Sequence, residues 1–372
     1  MAPCEGFGAD TMLNFGSGET IQANGADIEV PGCSVPCFVD WNNDQLKDLI
    51  IGEGGYDGGS TFPGKVRVYL NVGTESNPQF SDYFYARSYG SDLTCTASGF
   101  MGCFPRVAYW DADARKDLLI GQADGTVRIF LNVGTDAEPE FAGGTFIKVG
   151  TYPCCRRDID VGFRATPIVA DWDNDGKKDL IVGAHDGRVH LFLNEGTDTE
   201  PFFRTESFAQ ADGNDLIVPG NRSSPAVLDL DGDRKKDLLT GNTEGLLFFY
   251  RNIGAEAAPV FAGPFFVVSG SDPIDLPDSS RSRPYVCYWT NDPYLDVLIG
   301  AADGKVHLYQ GIPETGDMNA DGTVDLSDFI LFATYWQQED RSPRGVADFT
   351  ADNKVDSHDL RQFAANWLLA LD

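Results

Sequence analysis

Five segments of this chain repeat one pattern, and this repetition constrains the fold more than any other feature of the sequence. Each segment begins at a proline, passes through an aspartate-rich stretch and ends in an apolar run closed by a glycine. The prolines are Pro36, Pro105, Pro167, Pro225 and Pro284, and the glycines are Gly52, Gly121, Gly183, Gly241 and Gly300. Successive glycines are 69, 62, 58 and 59 residues apart, the first interval being lengthened by a glycine-rich insertion at residues 53–64. We therefore expect an array of similar units.

Each repeat contains the material for four short antiparallel strands. The proline opens the first strand, where its missing N–H does least harm. A continuous apolar run such as residues 180–182 predicts a second strand covered on both faces, and an alternating stretch such as residues 189–193 predicts the third. A phenylalanine-containing stretch such as residues 146–149 supplies the fourth. Repeated five times, this pattern predicts a mainly β fold, a five-bladed β-propeller of four-stranded antiparallel blades over residues 1–312.

The ends of the array indicate how the ring closes. We expect residues 12–30 to supply the fourth-strand element of the first unit, and the N-terminal segment to pair with the last repeat. The fifth repeat departs from the pattern at Gln310-Gly-Ile-Pro, which indicates the end of the array. A linear solenoid is the alternative, but it would leave exposed strand edges and need polar caps, and we find no caps in the sequence.

An aspartate-rich loop lies between the first two predicted strands of each repeat. Alternate oxygen-bearing side chains with a glycine or another turn residue can wrap around one hard cation, which favours Ca²⁺. Three repeats carry four ligand positions each: Asp40, Asn42, Asp44 and Asp48; Asp171, Asp173, Asp175 and Asp179; Asp229, Asp231, Asp233 and Asp237. Each loop taken alone could be an ordinary turn capped by aspartate, but three in register favour metal binding.

Two of the five loops are degenerate. The second has Tyr109 at the first ligand position and the fifth has Tyr288, followed by Thr290. Because tyrosine is a poor calcium ligand, we expect these loops to be metal-free or weak. Their remaining aspartates, which we expect to cap turn N–H groups, are Asp111, Asp113, Asp117, Asp292 and Asp296.

These repeats resemble the FG-GAP or VCBS repeats of integrin α-chain propellers and many bacterial surface proteins. The resemblance covers roughly residues 10–312 and implies structural calcium in the loops. Members of this family have diverse functions, so the resemblance indicates a fold more than a role.

The texture of the sequence changes after Gly311, and residues 313–372 are predicted to form a separate, small helical domain. Two stretches match the spacing of a calcium loop of the EF-hand type, and each is followed by a helical apolar pattern. The predicted ligands are Asp317, Asn319, Asp321, Thr323, Asp325 and Asp328 in the first, and Asp348, Thr350, Asp352, Lys354 (through its carbonyl), Asp356 and Asp359 in the second. A core of this size is marginal, so folding should depend on calcium.

Two loop–helix units with aspartate at position 12 and no preceding helix resemble a type I dockerin. The resemblance implies attachment of an extracellular protein to a cohesin on a scaffold. The residues at loop positions 10 and 11, which carry recognition in that family, correspond to Leu326-Ser327 and Ser357-His358. In total we expect about three Ca²⁺ ions in the propeller and two in the dockerin-like domain.

Charge and composition narrow the partners further. The chain of 372 residues has 57 acidic and 28 basic residues, a net charge of −29, which argues against nucleic acid or anionic membrane as a partner. No stretch approaches the length needed for a membrane-spanning helix, and the first residues do not resemble a signal peptide. We expect an extracellular or cell-surface protein of bacterial type, whose signal peptide is not in this numbering.

The eight cysteines include two local pairs, Cys33/Cys37 and Cys95/Cys103, whose even count fits disulfides in an oxidising compartment. Buried free thiols are the alternative, and no paired spacing typical of zinc sites is present.

The sequence favours a non-catalytic structural or adhesion protein. The four histidines fit no catalytic constellation, and we predict that the chain is not an enzyme. The propeller would serve as a binding or assembly surface, and the dockerin-like domain would bind either a cohesin or another copy of the chain, which could propagate into a filament. One alternative is a lectin-like propeller that stacks sugars of a polysaccharide on Trp41, Trp110, Trp172 and Trp289; a second is a polysaccharide-degrading enzyme with a cryptic site.

Overall fold

A computed structural model shows five blades of four antiparallel strands and two helices; neighbouring short strands extend the first and fourth blades into sheets of seven and six strands. It describes residues 13–57, 60–111, 113–151, 155–270, 272–276, 280–292, 294–312, 318, 324, 326–336, 347, 349 and 354–369. The predicted fold class, a mainly β five-bladed propeller followed by a small helical unit, is confirmed.

The blades follow the sequence repeats. The first blade comprises Val35–Val39, Asp48–Gly52, Gly64–Asn71 and Phe80–Tyr85, and the second comprises Phe104–Ala108, Asp117–Gly121, Val127–Phe130 and Thr145–Phe146. The third blade comprises Thr166–Ala170, Asp179–Gly183, Val189–Phe192 and Ser207–Phe208. The fourth comprises Pro225–Leu228, Asp237–Gly241, Leu247–Asn252 and Phe261–Phe266. The fifth blade comprises Arg283–Cys287, Asp296–Gly300, Val306–Tyr309 and the N-terminal strand Glu19–Thr20. The second strand of each blade is buried along its whole length, as its continuous apolar run predicts.

The ring closes through the N-terminal segment, as expected. Glu19 pairs with Leu308 and Thr20 with His307, so this segment completes the fifth blade. The expectation that residues 12–30 supply the fourth strand of the first unit is wrong, because Phe80–Tyr85 takes that place. A strand joining the first and last repeats leaves no open end, so the linear solenoid is also wrong.

A short hairpin follows each blade in the chain, and its first strand pairs in parallel with one phenylalanine of the next blade. The hairpins are Gln22–Ala23 with Ala26–Asp27, Arg87–Ser88 with Ser91–Asp92, Lys148–Val149 with Arg157–Asp158, Gln210–Ala211 with Asn214–Asp215, and Val268–Ser269 with Asp272–Pro273. Their parallel pairings are Ala23–Phe80, Ser88–Phe141, Val149–Phe203, Ala211–Phe261 and Ser269–Phe15. Phe15, in the strand Asn14–Phe15, thus occupies in the fifth blade the place that phenylalanines of the repeats occupy in the other four. The remaining short strands are Thr94–Cys95, Tyr56–Asp57 and Ser60–Thr61.

The core of the propeller lies between the blades. Five separate clusters of buried apolar side chains each join two neighbouring blades. The closing glycine of each second strand makes this approach close: a Cβ on Gly121 would lie 2.1 Å from the Ala165 carbonyl oxygen and 2.5 Å from Pro167 Cδ. The glycine and the proline recur together in the repeats because one blade packs closely on the next.

The C-terminal unit contributes the helices Leu326–Tyr335 and Ser357–Leu369. Their buried cluster contains Val324, Phe332, Ala347, Val355 and Phe363. Phe332 stacks on Phe363 with ring centroids 5.4 Å apart, so these two predicted helical aromatics form the core of the unit.

Candidate calcium loops and docking unit

The loop of the third blade, between its first two strands, brings three carboxylates together. Oxygens of Asp171, Asp173 and Asp179 all lie within 4.8 Å of one another. Gly176 turns the loop with a left-handed φ of 85°, and its N–H donates to Asp171 at 2.9 Å. The loop therefore curls around the point where these three side chains meet.

Asp173 provides the observation that fits this loop to a cation. Its Oδ1 is buried and has no hydrogen-bond partner, although buried carboxylate oxygens are normally paired. Converging carboxylates also repel one another unless a cation lies among them. Oxygen donors in this arrangement suit a hard cation such as Ca²⁺.

The fourth predicted ligand of this loop is placed differently. Asp175 lies outside the three-carboxylate group, and its Oδ2 is 2.8 Å from Lys177 Nζ. Its Oδ1 accepts the Lys177 backbone N–H at 3.0 Å. In this structure Asp175 therefore shapes the turn and pairs with a lysine.

The fourth blade repeats the arrangement with one difference. Asp229, Asp231 and Asp237 also lie with oxygens within 4.8 Å of one another. Here Asp231 pairs with Arg251 Nε at 2.7 Å, while Asp233 pairs with Lys235 at 3.2 Å. An arginine therefore already contributes one positive charge beside this group, whereas the third blade has Leu193 at the equivalent position.

The first loop is closed by hydrogen bonds within the loop. Asp40 accepts the backbone N–H of Asn43 at 2.6 Å and of Gln45 at 3.0 Å. Asn42 donates to Asp44 at 2.9 Å, and the fourth predicted ligand, Asp48, is buried behind them. Across the described residues, this loop is not among the groups in which three acidic side chains converge.

The last aspartate of every loop binds backbone N–H groups, a role that the sequence predicts only for Asp117 and Asp296. It accepts one backbone N–H from the start of its own loop and a second from the end of the third strand, at 2.6–3.1 Å. Asp48 accepts from Trp41 and Asn71, Asp117 from Trp110 and Asn132, and Asp179 from Trp172 and Asn194. Asp237 accepts from Leu230 and Asn252, and Asp296 accepts from Trp289 and Gly311. We call these five residues the latch aspartates.

Burial dominates the electrostatics of the latch aspartates. It raises the pKa of Asp48 and Asp179 to about 6 and that of Asp237 to about 7, while the two backbone N–H bonds oppose the shift. The pKa values of Asp117 and Asp296 are raised for the same reason. A cation beside these groups would favour their ionised form.

The degenerate loops keep the latch and the turn. Asp111 accepts the Asp113 N–H at 3.0 Å, and Asp113 accepts the Arg115 N–H at 2.9 Å. In the fifth loop, Asp292 accepts the Tyr294 N–H at 2.9 Å. These aspartates cap turn N–H groups, as expected for them. A signal for the latch was present in the sequence: four of the five repeats place an asparagine or glycine 15 residues after the latch aspartate.

In the C-terminal unit the position-12 aspartates of both loops are buried. Asp328 accepts the Met318 N–H at 2.8 Å, and Asp359 accepts the Asp356 N–H at 2.9 Å. Lys354 is exposed. The other predicted ligands lie outside the described residues: Asp317, Asn319, Asp321, Thr323, Asp325, Asp348, Thr350 and Asp352.

The tryptophans that motivated the lectin hypothesis are part of the blade packing. Trp41, Trp172 and Trp289 are buried, and Trp110 is half-buried. Each packs against a phenylalanine of the neighbouring blade with ring centroids 5.6–6.3 Å apart; the partners are Phe141, Phe261, Phe80 and Phe203 respectively. The alternative in which these tryptophans form an exposed sugar-stacking surface is therefore wrong.

A disulfide joins one of the two local cysteine pairs, Cys95 and Cys103. Cys33 and Cys37, the other local pair, are buried free thiols, which is the alternative that the sequence left open.

Comparison with known proteins bears on both parts of the chain. The model of the FG-GAP-like repeat matches residues 110–182 and 171–240, and the model of the dockerin type I domain matches residues 315–365. The chain carries FG-GAP-like repeats and a type I dockerin domain. Dockerin domains bind Ca²⁺ and a protein partner, cohesin, and are typical of extracellular or cell-surface bacterial proteins. Of the helices that the structure describes, none is long and apolar enough to cross a membrane.

No curated protein matches this sequence significantly. Among solved structures, a GH43_1 enzyme from Xanthomonas citri aligns over 84% of this chain and 93% of its own, with 12% identity and a TM-score of 0.48. A GH43 β-xylosidase/α-arabinofuranosidase from a compost microbial metagenome aligns over 83% and 97%, with 11% identity and a TM-score of 0.47. A hypothetical protein from Leishmania major aligns over 80% and 90%, with 11% identity and a TM-score of 0.43.

These structures correct one prediction. The statement that the chain is not an enzyme is wrong as it stands, because glycoside hydrolases are among the proteins with which it aligns. At 11–12% identity the likeness concerns the fold, and it assigns this chain neither a reaction nor a substrate.

Proposed function

We propose that this is a calcium-stabilised extracellular protein whose dockerin domain, residues 313–372, attaches a propeller, residues 1–312, to a cohesin-bearing protein. The propeller is then the part that is displayed, as a binding or assembly surface. The carrying observation is the surface of the first C-terminal helix, whose inward face is buried while apolar residues remain outside.

The contrast on that helix is pronounced. Leu326 is 58% exposed and Ile330, one turn later, is 59% exposed, whereas Phe332 is 1% exposed. The residues at the recognition positions, Leu326-Ser327 and Ser357-His358, are all exposed, and the neighbouring position-12 aspartates are buried. Apolar residues that stay in solvent beside an ordered core are typical of a protein-binding surface.

We further propose that about three Ca²⁺ ions bind the propeller loops and two bind the dockerin domain. Convergence of carboxylates supports the third and fourth loops, and the sequence pattern supports the first. In the propeller these ions would hold the loop between the first two strands, so their contribution would be to stability.

Binding to a panel of purified cohesins, measured by calorimetry with calcium and then with EDTA, tests the attachment. We expect calcium-dependent binding to at least one cohesin, and its loss in the double variant Leu326→Asp/His358→Asp, which places a charge at the recognition positions of both repeats. Val133→Asp, at an exposed apolar position of the propeller, is the matched control and should bind normally.

Sedimentation of the chain alone tests whether the partner is another copy of the chain rather than a cohesin. Calcium-dependent polymers without cohesin binding would identify another copy of the chain as the partner, as a head-to-tail contact requires. A monomer that binds no cohesin would contradict the proposal.

A further inference from the structure

Four arginines gather near the axis of the propeller. The first strands of neighbouring blades contact one another around the whole ring, so they line the axis. Three residues before the proline that opens this strand, the third, fourth and fifth repeats carry Arg164, Arg222 and Arg281. Arg283 directly precedes Pro284. Three successive blades therefore direct arginine to the same level of the axis.

Three of these arginines are buried and have guanidinium nitrogens without a hydrogen-bond partner. Arg164 and Arg283 are 1% exposed, and Arg222 is 8% exposed. Arg164 donates to the Ser223 carbonyl at 3.0 Å and to Ser224 Oγ at 2.6 Å. The Nε atoms of all three, together with Arg222 Nη1 and Arg283 Nη2, have no partner. Unpaired buried donors on charged groups are strongly unfavourable, so they call for a ligand.

No acidic side chain balances this charge within the described part of the chain. Burial lowers the pKa of Arg164, and its neighbours Arg283 and Arg222 lower it further. Burial, Arg281 and Arg283 likewise lower the pKa of Arg222 to about 10. In a protein of net charge −29, a cluster whose main electrostatic neighbours are other cations is exceptional.

Among the described residues, the thiol of Cys33 is the group that raises the pKa of Arg164, Arg222 and Arg283. Burial would raise the pKa of its thiol, but Arg283 and Arg281 more than offset this and leave the pKa lowered. Arg281 Nη1 lies 3.7 Å from Cys33 Sγ. A single thiolate cannot balance four guanidinium groups.

The backbone indicates that arginine is required at these positions. Arg164, Arg222 and Arg281 have left-handed φ values of 60°, 59° and 81°. Glycine would adopt this conformation without strain, yet all three positions carry arginine. The side chain therefore has a role that offsets the backbone strain.

We propose that Arg164, Arg222, Arg281 and Arg283 form an anion-binding site near the propeller axis, which takes one compact anionic group. Two of the guanidinium groups contact the ring of Phe104, whose centroid is 5.4 Å from Arg164 Cζ and 5.9 Å from Arg283 Cζ. Arg281 is half-buried and His185 is exposed, and these residues form the open side. The adjoining cavity, lined by Phe104, Thr166, Ser224 and Arg283, is only about 10 Å³, so the ligand is a small ion or a single charged group of a larger molecule.

Calorimetric titration of the full chain tests the site, with calcium present throughout and a bulky sulfonate buffer as the only other anion. Sodium chloride, sodium sulfate and sodium galacturonate are titrated at matched ionic strength. We expect saturable binding of one equivalent. Binding of chloride or sulfate alone identifies an inorganic ion, whereas binding of galacturonate identifies the carboxylate of an acidic sugar.

Substitutions locate the site. Arg222→Gln removes unpartnered donors, and we expect affinity for the bound anion to fall by about tenfold or more. Arg204→Gln, which removes a surface arginine paired with Glu195, is the matched control and should bind as the wild type does. Circular dichroism establishes that each variant is folded.

Two results would overturn the inference: no saturable binding of any of the three anions to the wild type, or unchanged affinity in folded Arg222→Gln. Should this variant fail to fold, the unfolding temperature of the wild type decides. It must rise with the bound anion at constant ionic strength, and a constant value would reject the site.

Discussion

The second and third loops of the propeller occupy equivalent places in neighbouring blades but differ at their first position. The third has Asp171, whose oxygen lies with those of Asp173 and Asp179, whereas the second has the exposed Tyr109. Both loops keep the latch aspartate with the same two backbone bonds. The comparison teaches that the fold needs the last aspartate, while gathering carboxylates needs the first.

Breaking the latch should have the largest effect in both loops. Asp117→Asn and Asp179→Asn each replace one acceptor oxygen by an NH₂ group that faces a buried backbone N–H. We expect each to lower the free energy of unfolding by about 1–3 kcal/mol in calcium-free buffer, measured by urea denaturation. Asp212→Asn is the control, because this exposed residue has a left-handed backbone that asparagine also tolerates. A stable Asp117→Asn variant would show that the latch is unimportant.

Removing the first ligand should separate the two loops. Asp171→Ala should lose the stabilisation that calcium adds through the third loop, about 1.4 kcal/mol at free calcium roughly tenfold above Kd. Asp111→Ala in the second loop should leave the calcium-induced shift in unfolding temperature unchanged. Equal losses of that shift in both variants would mean that the two loops do not differ in metal binding.

The pH dependence of stability should show the latch aspartates directly. An unfolded aspartate has a pKa near 3.9, whereas those of Asp48, Asp179 and Asp237 are raised to about 6–7. The folded state therefore binds more protons than the unfolded state between about pH 4 and pH 7, and stability without calcium should fall as pH rises through this window. Calcium should flatten the slope, because it favours the ionised carboxylates. The measurement is the unfolding temperature in EDTA across this pH range. An unfolding temperature that rises with pH would contradict the assignment.

Restoring the missing ligand should have the smallest effect on stability. Tyr109→Asp gives the second loop an acidic first position, and we expect a change within about 0.5 kcal/mol without calcium because Tyr109 is exposed. The variant should gain calcium-dependent stabilisation relative to wild type. Absence of that gain would show that the remaining positions of the second loop cannot hold the ion.

The repeats were sufficient to predict five blades, because each carries its own strand pattern and the buried second strand is apolar throughout. Ring closure could be anticipated, but its register could not: Phe15 completes the fifth blade only because Gly311 and Ser269 lie beside it in space. For the same reason the packing of Trp289 on Phe80 joins residues far apart in the chain.

The candidate sites show a similar division. The ligand spacing identified the loops, but local spacing does not reveal that Asp175 pairs with Lys177 while Asp179 holds two backbone N–H groups. The axial arginines were missed altogether, because they are spread over three repeats and only the closed ring brings them together.

The number of calcium ions bound per chain tests the central claim most directly, by equilibrium dialysis and elemental analysis of the wild type and Asp171→Ala. We predict about five ions for the wild type and one fewer for the variant. An unchanged count in Asp171→Ala would contradict the assignment of the third loop as a calcium site.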